Sequence, residues 1–145
     1  MDILKLPKRG VFAYLSSPSE TVCAEKDKFY RINGIFNNYP IGDFCVSDGY
    51  LTCLSEKLRF WIVSWHVSGA SDRPNRNVSV AIAKKSIPLP ESVISSEFGK
   101  KESTMSGTVV FDLTIHDTVD LMVSCDVDNS KIAFNHFVTT IKPFF

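Results

Sequence analysis

The sequence predicts an all-β fold, an antiparallel β-sandwich, on three grounds. Apolar and polar residues alternate at period two over much of the chain, period 3.6 is nearly absent, and clusters of turn formers separate the alternating runs. The clearest run follows Gly107. Val109, Phe111, Leu113 and Ile115 fall on one face of an extended chain, and Val110, Asp112 and Thr114 on the other. A helix would scatter those four apolar side chains around its circumference. His116-Asp117 then predicts a tight connection. Beyond it Val119, Leu121 and Val123 resume the alternation against Asp120, Met122 and Ser124.

Similar runs at Gly10–Ser16, Phe29–Phe36, Leu58–Ser68, Asn77–Lys84 and Lys131–Lys142 predict further strands. Turn formers lie between them, at Ser17-Pro18-Ser19, Asn37–Gly42, Ser47-Asp48-Gly49, Gly69–Asn75 and Pro88-Leu89-Pro90. Roughly eight to ten short strands in this arrangement make a sandwich or a barrel. Ser86–Ser106, with Pro88, Pro90 and several serines, is predicted to be a surface loop holding one short strand. Residues 1–9 are charged throughout and are expected to form a tether, with residues 10–145 as one domain.

At 145 residues the chain is long enough to bury a core without disulfides. Its 16 basic and 16 acidic side chains cancel, which removes the electrostatic footprint of a nucleic-acid or anionic-membrane binder. Neither a signal-peptide pattern nor an apolar run of about eighteen residues occurs. The expectation is a chain made and folded in the cytoplasm, with no membrane insertion. Cys23, Cys45, Cys53 and Cys125 form no Cys-x-x-Cys pair and have no histidine at zinc-finger spacing. Two readings stay open: four buried, reduced thiols, or a Cys45–Cys53 disulfide across a hairpin.

Two strands are apolar on both faces. In one, Leu58, Phe60 and Ile62 lie opposite Trp61, Val63, Trp65 and Val67; the other is Ile132–Val138, close to the terminal Ile141–Phe145. A sandwich strand in a monomer normally has one wet face, so the outer face of these strands is expected to be covered, most economically by another copy.

The order of motifs resembles the jelly roll of tumour necrosis factor-like proteins and of complement globular heads. The resemblance runs through Lys28–Asn33, Phe36-Asn37-Asn38, Ile41-Gly42-Asp43-Phe44 and Ser47–Cys53, and then the aromatic strand Leu58–Val67. It continues through Gly107–Val123 and the closing aromatic strand Phe134–Phe144, about residues 10 to 144 in all. Ser55-Glu56-Lys57 stands where that family usually has Pro-Gly. The resemblance implies a TNF-like jelly roll and a homotrimer whose last strand packs around a three-fold axis. On that basis Phe60, Trp61, Trp65, Phe134, Phe137 and Phe144 are the expected trimer interface.

No catalytic or metal-binding constellation is legible, and no cofactor is implied. His66, His116 and His136 lie in no known catalytic signature, and His66 and His136 are read as packed or interfacial. Asp112, Asp117, Asp120, Asp126 and Asp128 suit a hard cation chemically but lack the Asp/Asn-Gly density of a calcium loop, so turn capping and solvation are expected of them. Asn77-Val78-Ser79 fits a glycosylation acceptor and is read as a strand start. Arg73, Asn75 and Arg76, in an exposed loop, are the candidates for a polar or glycan-like ligand.

The expected function is therefore non-enzymatic. It is a viral structural protein, a trimeric fibre head, spike or capsid-decoration subunit used in attachment or virion assembly. Its expected partners are copies of itself, other virion proteins and a host surface receptor or glycan, and its expected location is the virion, assembled in the cytoplasm. A secreted cytokine-like or complement-like ligand, hence extracellular, is the first rival, and a lectin-like glycan-binding module the second.

Overall fold

The structure is a computed structural model that describes residues 11–15, 17–34, 36–38, 43–47, 50–56 and 60–144. The tether, the Ile41-Gly42 and Asp48-Gly49 turns and Leu58 lie outside the described residues.

Period-two alternation becomes strands almost everywhere it was read. Those of the described residues are β1 (Val11–Leu15), β2 (Ser19–Cys23), β3 (Tyr30–Arg31), β4 (Phe36–Asn38), β5 (Phe44–Ser47), β6 (Tyr50–Cys53), β7 (Phe60–Ser71), β8 (Arg76–Lys84), β9 (Ile87–Pro88), β10 (Ile94–Phe98), β11 (Ser103–Asp112), β12 (Thr118–Cys125) and β13 (Ser130–Pro143). One sheet has the order β11-β7-β13-β1-β4, with β2 also paired to β13. The other has the order β10-β8-β12-β6-β5, with β3 on β12 and β9 on β8. Every strand pairing among the described residues is antiparallel, and successive strands change sheet from β2 to β3, β3 to β4, β4 to β5, β6 to β7, β7 to β8, β10 to β11, β11 to β12 and β12 to β13.

The core lies between the two sheets. Trp61, Val63, Trp65 and Val67 of β7 point inward toward a second layer made by Val78, Val80 and Ile82 of β8 and by Val119, Leu121 and Val123 of β12, all buried. Phe44 meets Trp61 edge-on, with ring centroids 5.0 Å apart. Burial of each such side chain contributes about 1.5–3 kcal/mol, so the double layer supplies most of the folding drive.

β13 holds the main departure from simple alternation. Phe134 pairs with Gly69 and His136 with Ser68, so Asn135 is an extra residue, a β-bulge. The bulge resets the pleat. Ile132 and Phe134 face inward before it, and Phe137, Thr139 and Ile141 face inward after it. The strand that reads as apolar on both faces thus keeps its phenylalanines on the inner one, with Val138 left on the outer. Gly69 is required opposite the bulge, since a Cβ there would stand 2.6 Å from the Ala133 carbonyl oxygen.

Ser86–Ser106 is more regular than the loop predicted for it. It holds β9, a single 3-10 turn at Pro90–Ser92, β10 and the start of β11. Ser103, Thr104 and Ser106 pair with β7 while Met105 alone is buried, so the segment is a strand whose outward residues are all polar. In the other direction, β11 stops at Asp112. The Asp117 carboxylate accepts hydrogen bonds from the Thr114 N–H at 2.8 Å and the Thr114 hydroxyl at 3.1 Å, which closes a turn through His116 at φ 73°.

Candidate functional site

The outer face of the β11-β7-β13-β1 sheet is the surface that the sequence leaves open. Phe60, Ile62, Ser64 and His66 alternate outward along β7. Register sets them beside outward residues of the neighbouring strands. Ile62 pairs with Val110 on β11 and Lys142 on β13, and His66 with Ser106 and Val138. Val138 in turn pairs with Tyr14 on β1, and the Phe144 N–H donates to the Phe60 carbonyl at 3.1 Å. Phe60 is 45% exposed, Val110 43%, Tyr14 36% and Phe144 51%. Phe60, Ile62, Val110 and Phe144 make one apolar patch, and Val138 and Tyr14 a second, with the polar rung of Thr108, Ser64 and Thr140 between them.

The opposite sheet has a different outer face. Its outward residues include Ala81 and Ala83 of β8 and Ser124 of β12, and the Ser79 and Ser95 hydroxyls are hydrogen-bonded at 2.6 Å. Asp120 lies on that side, nearly inaccessible, and neither carboxylate oxygen has a hydrogen-bond partner among the described residues. Burial pushes its carboxyl up to about 6, against the opposing pull of the Arg31 charge.

Of the six aromatics expected at a trimer interface, the structure puts two on the outer face, Phe60 and Phe144. Trp61, Trp65, Phe134 and Phe137 are corrections. All four are buried between the sheets of the single chain, Trp61 and Trp65 by alternation along β7 and Phe137 by the bulge at Asn135. Ile62, Val110, Val138 and Tyr14 face outward instead, and strand alternation singles them out once the inward face is known.

Arg73 and Asn75 are exposed in the turn between β7 and β8, where Asn75 takes φ 58°. Arg76 is not presented beside them. It is half-buried at the start of β8, with Nη1 donating to the Pro74 carbonyl at 3.4 Å.

The acidic residues act mainly as caps. Asp126 accepts from the Asn77 N–H at 3.0 Å, Asp128 from the Lys26 N–H at 2.7 Å, and Asp112 lies 3.5 Å from the Lys84 ammonium. Desolvation opposes ionisation of Asp117, but the Thr114 N–H, Lys85 and the Thr114 hydroxyl outweigh it and hold the carboxyl below its ordinary value. Among the described residues no three histidine, cysteine, aspartate or glutamate side chains gather as a metal site.

All four cysteines are free thiols, as the first reading has it, but only three of them are buried. Cys45 is exposed and pairs with Thr52, whereas Cys53 is buried and pairs with Phe44, so those two thiols lie on opposite faces of the β5–β6 hairpin. The neighbours are Cys23 and Cys125, whose buried thiols hydrogen-bond to each other. That bond and burial push the Cys23 thiol up, so it stays protonated.

The same arrangement of strands recurs in solved structures. The globular domain of a zebrafish complement 1qA protein matches with a TM-score of 0.59 at 16% identity, over 94% of this chain and 98% of that one. Murine APRIL matches with a TM-score of 0.60 at 9% identity, over 92% and 99%. The Eiger TNF of S. frugiperda matches with a TM-score of 0.56 at 10% identity, over 92% of each chain. The fold is the TNF-like jelly roll. No protein-family model and no curated protein sequence matches the chain. At 9–16% identity the likeness is one of fold, and fold alone does not fix function.

Proposed function

We propose that this TNF-like jelly roll is a non-enzymatic, homotrimeric head. Three copies associate through the outer face of the β11-β7-β13-β1 sheet. The observation that carries the reading is the set of half-exposed apolar residues on that face, Phe60, Ile62 and Val110 on one side of the polar Thr108–Ser64–Thr140 rung and Val138 and Tyr14 on the other. A second copy against it removes apolar surface from water at about 25 cal/mol per Å². The charge balance of 16 against 16 adds no long-range repulsion between copies.

At the finer level, the head serves as a virion structural subunit, a fibre head, spike or decoration protein, with attachment to a host receptor or glycan as its recognition role. Arg73 and Asn75, on the turn between β7 and β8, are its ligand-facing polar residues. A ligand domain of the cytokine or complement kind is the second reading, favoured by the names of the similar structures, a complement head and two TNF-family ligands. Density-gradient fractionation of cells making the protein separates them. The virion reading predicts the chain in the particle fraction at a fixed ratio to the other particle proteins. Recovery only as free protein that binds cell surfaces overturns it in favour of the ligand reading.

A further inference from the structure

We infer that His66 and His136 form a two-imidazole site for a divalent transition-metal ion of the zinc class. The residues stand on neighbouring strands, β7 and β13, both exposed on the outer face. Their ring centroids are 5.2 Å apart and their planes cross at 69°. The Asn135 bulge creates the pair. With unbroken alternation from the inward Phe134, position 136 would also point inward; the extra residue turns Phe137 into the core and His136 out beside His66.

The spacing is that of a shared ion. Two imidazoles on one tetrahedral zinc, each at an N–Zn distance of about 2.0–2.1 Å, hold their ring centroids roughly 5 Å apart. The centroid spacing therefore fits a common ion once the rings turn their nitrogens toward it, and imidazole is a ligand suited to zinc, copper and nickel. The surroundings do not oppose a cation. Ser68 and Thr104 share the rung of His136, while Ser106, Val138 and Tyr14 share that of His66, so neither rung carries a lysine or arginine. The Glu102 carboxylate is close by, accepting from Asn135 Nδ2 at 3.0 Å. Water or donors from another copy complete the coordination shell. Both imidazoles come from one chain, and they lie on the face proposed for the trimer, His66 on the rung of Val138 and Tyr14.

Calorimetric titration of zinc chloride into the full-length Cys45→Ser chain tests this, the substitution removing the one exposed thiol. The expected result is saturable binding that weakens at least about tenfold in His66→Ala and in His136→Ala, as loss of one of only two protein ligands requires. His116→Ala, on the remote turn before β12, leaves binding unchanged. Circular dichroism verifies that each variant is folded, and His66→Asn and His136→Asn, which keep a polar side chain in place, show the same loss. Absence of zinc binding, or binding of equal strength in either His66 or His136 variant, overturns the inference and leaves the two rings as an edge-to-face packing pair.

Discussion

Gly107 lies directly across the β11–β7 ladder from Trp65, and the indole fills the space that a side chain at position 107 would need. A Cβ there would stand 2.7 Å from Trp65 Cζ2 and 2.6 Å from Ile94 Cδ1, while Trp65 is only 3% exposed. Gly107→Ala must therefore displace a packed ring. The expected cost is about 1–3 kcal/mol in chemical denaturation, typical of overpacking. Unchanged stability would show that the indole does not rest on the glycine.

The thiol pair predicts a specific crosslink. Refolded with oxidised glutathione, the chain is expected to join Cys23 to Cys125, the two thiols giving up two electrons and two protons as one glutathione disulfide becomes two glutathiones. Such a bond ties β2 in one sheet to β12 in the other. It closes a loop of about 100 residues, for which chain entropy gives about 4–5 kcal/mol of stabilisation. Peptide mapping that finds Cys45–Cys53 instead contradicts the register of the β5–β6 hairpin.

Asp120 predicts a pH dependence of known sign. Its folded carboxyl titrates at about 6, above its ordinary value of 3.8, so the fold favours the protonated form. The stabilisation is complete below about 3.8 and is lost as pH rises through 6. It amounts to at most about 3 kcal/mol across that window. Asp120→Asn should flatten this part of the stability–pH curve relative to the parent. An identical slope in both proteins would show that Asp120 is solvated.

Much of the fold is legible in the alternation itself. β7, β8, β12 and β13 were predicted within a few residues of their ends, because their inward faces are continuous Val, Ile, Trp and Phe. β11 was cut short at its start because Ser103, Thr104 and Ser106 supply no apolar signal around Met105. The hairpin between β8 and β9 was hidden for a related reason. Lys85 and Ser86 adopt positive φ, 53° and 64°, at positions where Asn-Gly would have announced a two-residue turn. The site was half legible. That the sheet carries a surplus of apolar residues follows from sequence, but which residues of β13 face outward turns on one bulge, and Asn135 carries no mark of it.

That distinction between faces has a mutational consequence. Phe60→Glu and Val110→Glu lie on the exposed patch and should weaken self-association while the single-chain fold changes by no more than about 0.5 kcal/mol, as for surface substitutions generally. Trp65→Ala and Phe137→Ala empty the core and should cost about 3–5 kcal/mol whatever the state of assembly. Sedimentation velocity and denaturation on the four variants check this. Dissociation by Trp65→Ala with no loss of fold stability would place the interface on the wrong side of the sheet.

Light scattering on the unmodified chain at micromolar concentration tests the central claim most directly. The apolar patches on this sheet face, covered by two further copies, predict a particle of about three times the chain mass of 16.2 kDa. They also predict that Phe60→Glu shifts that mass toward a single chain. A homogeneous species of 16.2 kDa for the unmodified protein would contradict the trimer and the head function proposed from it.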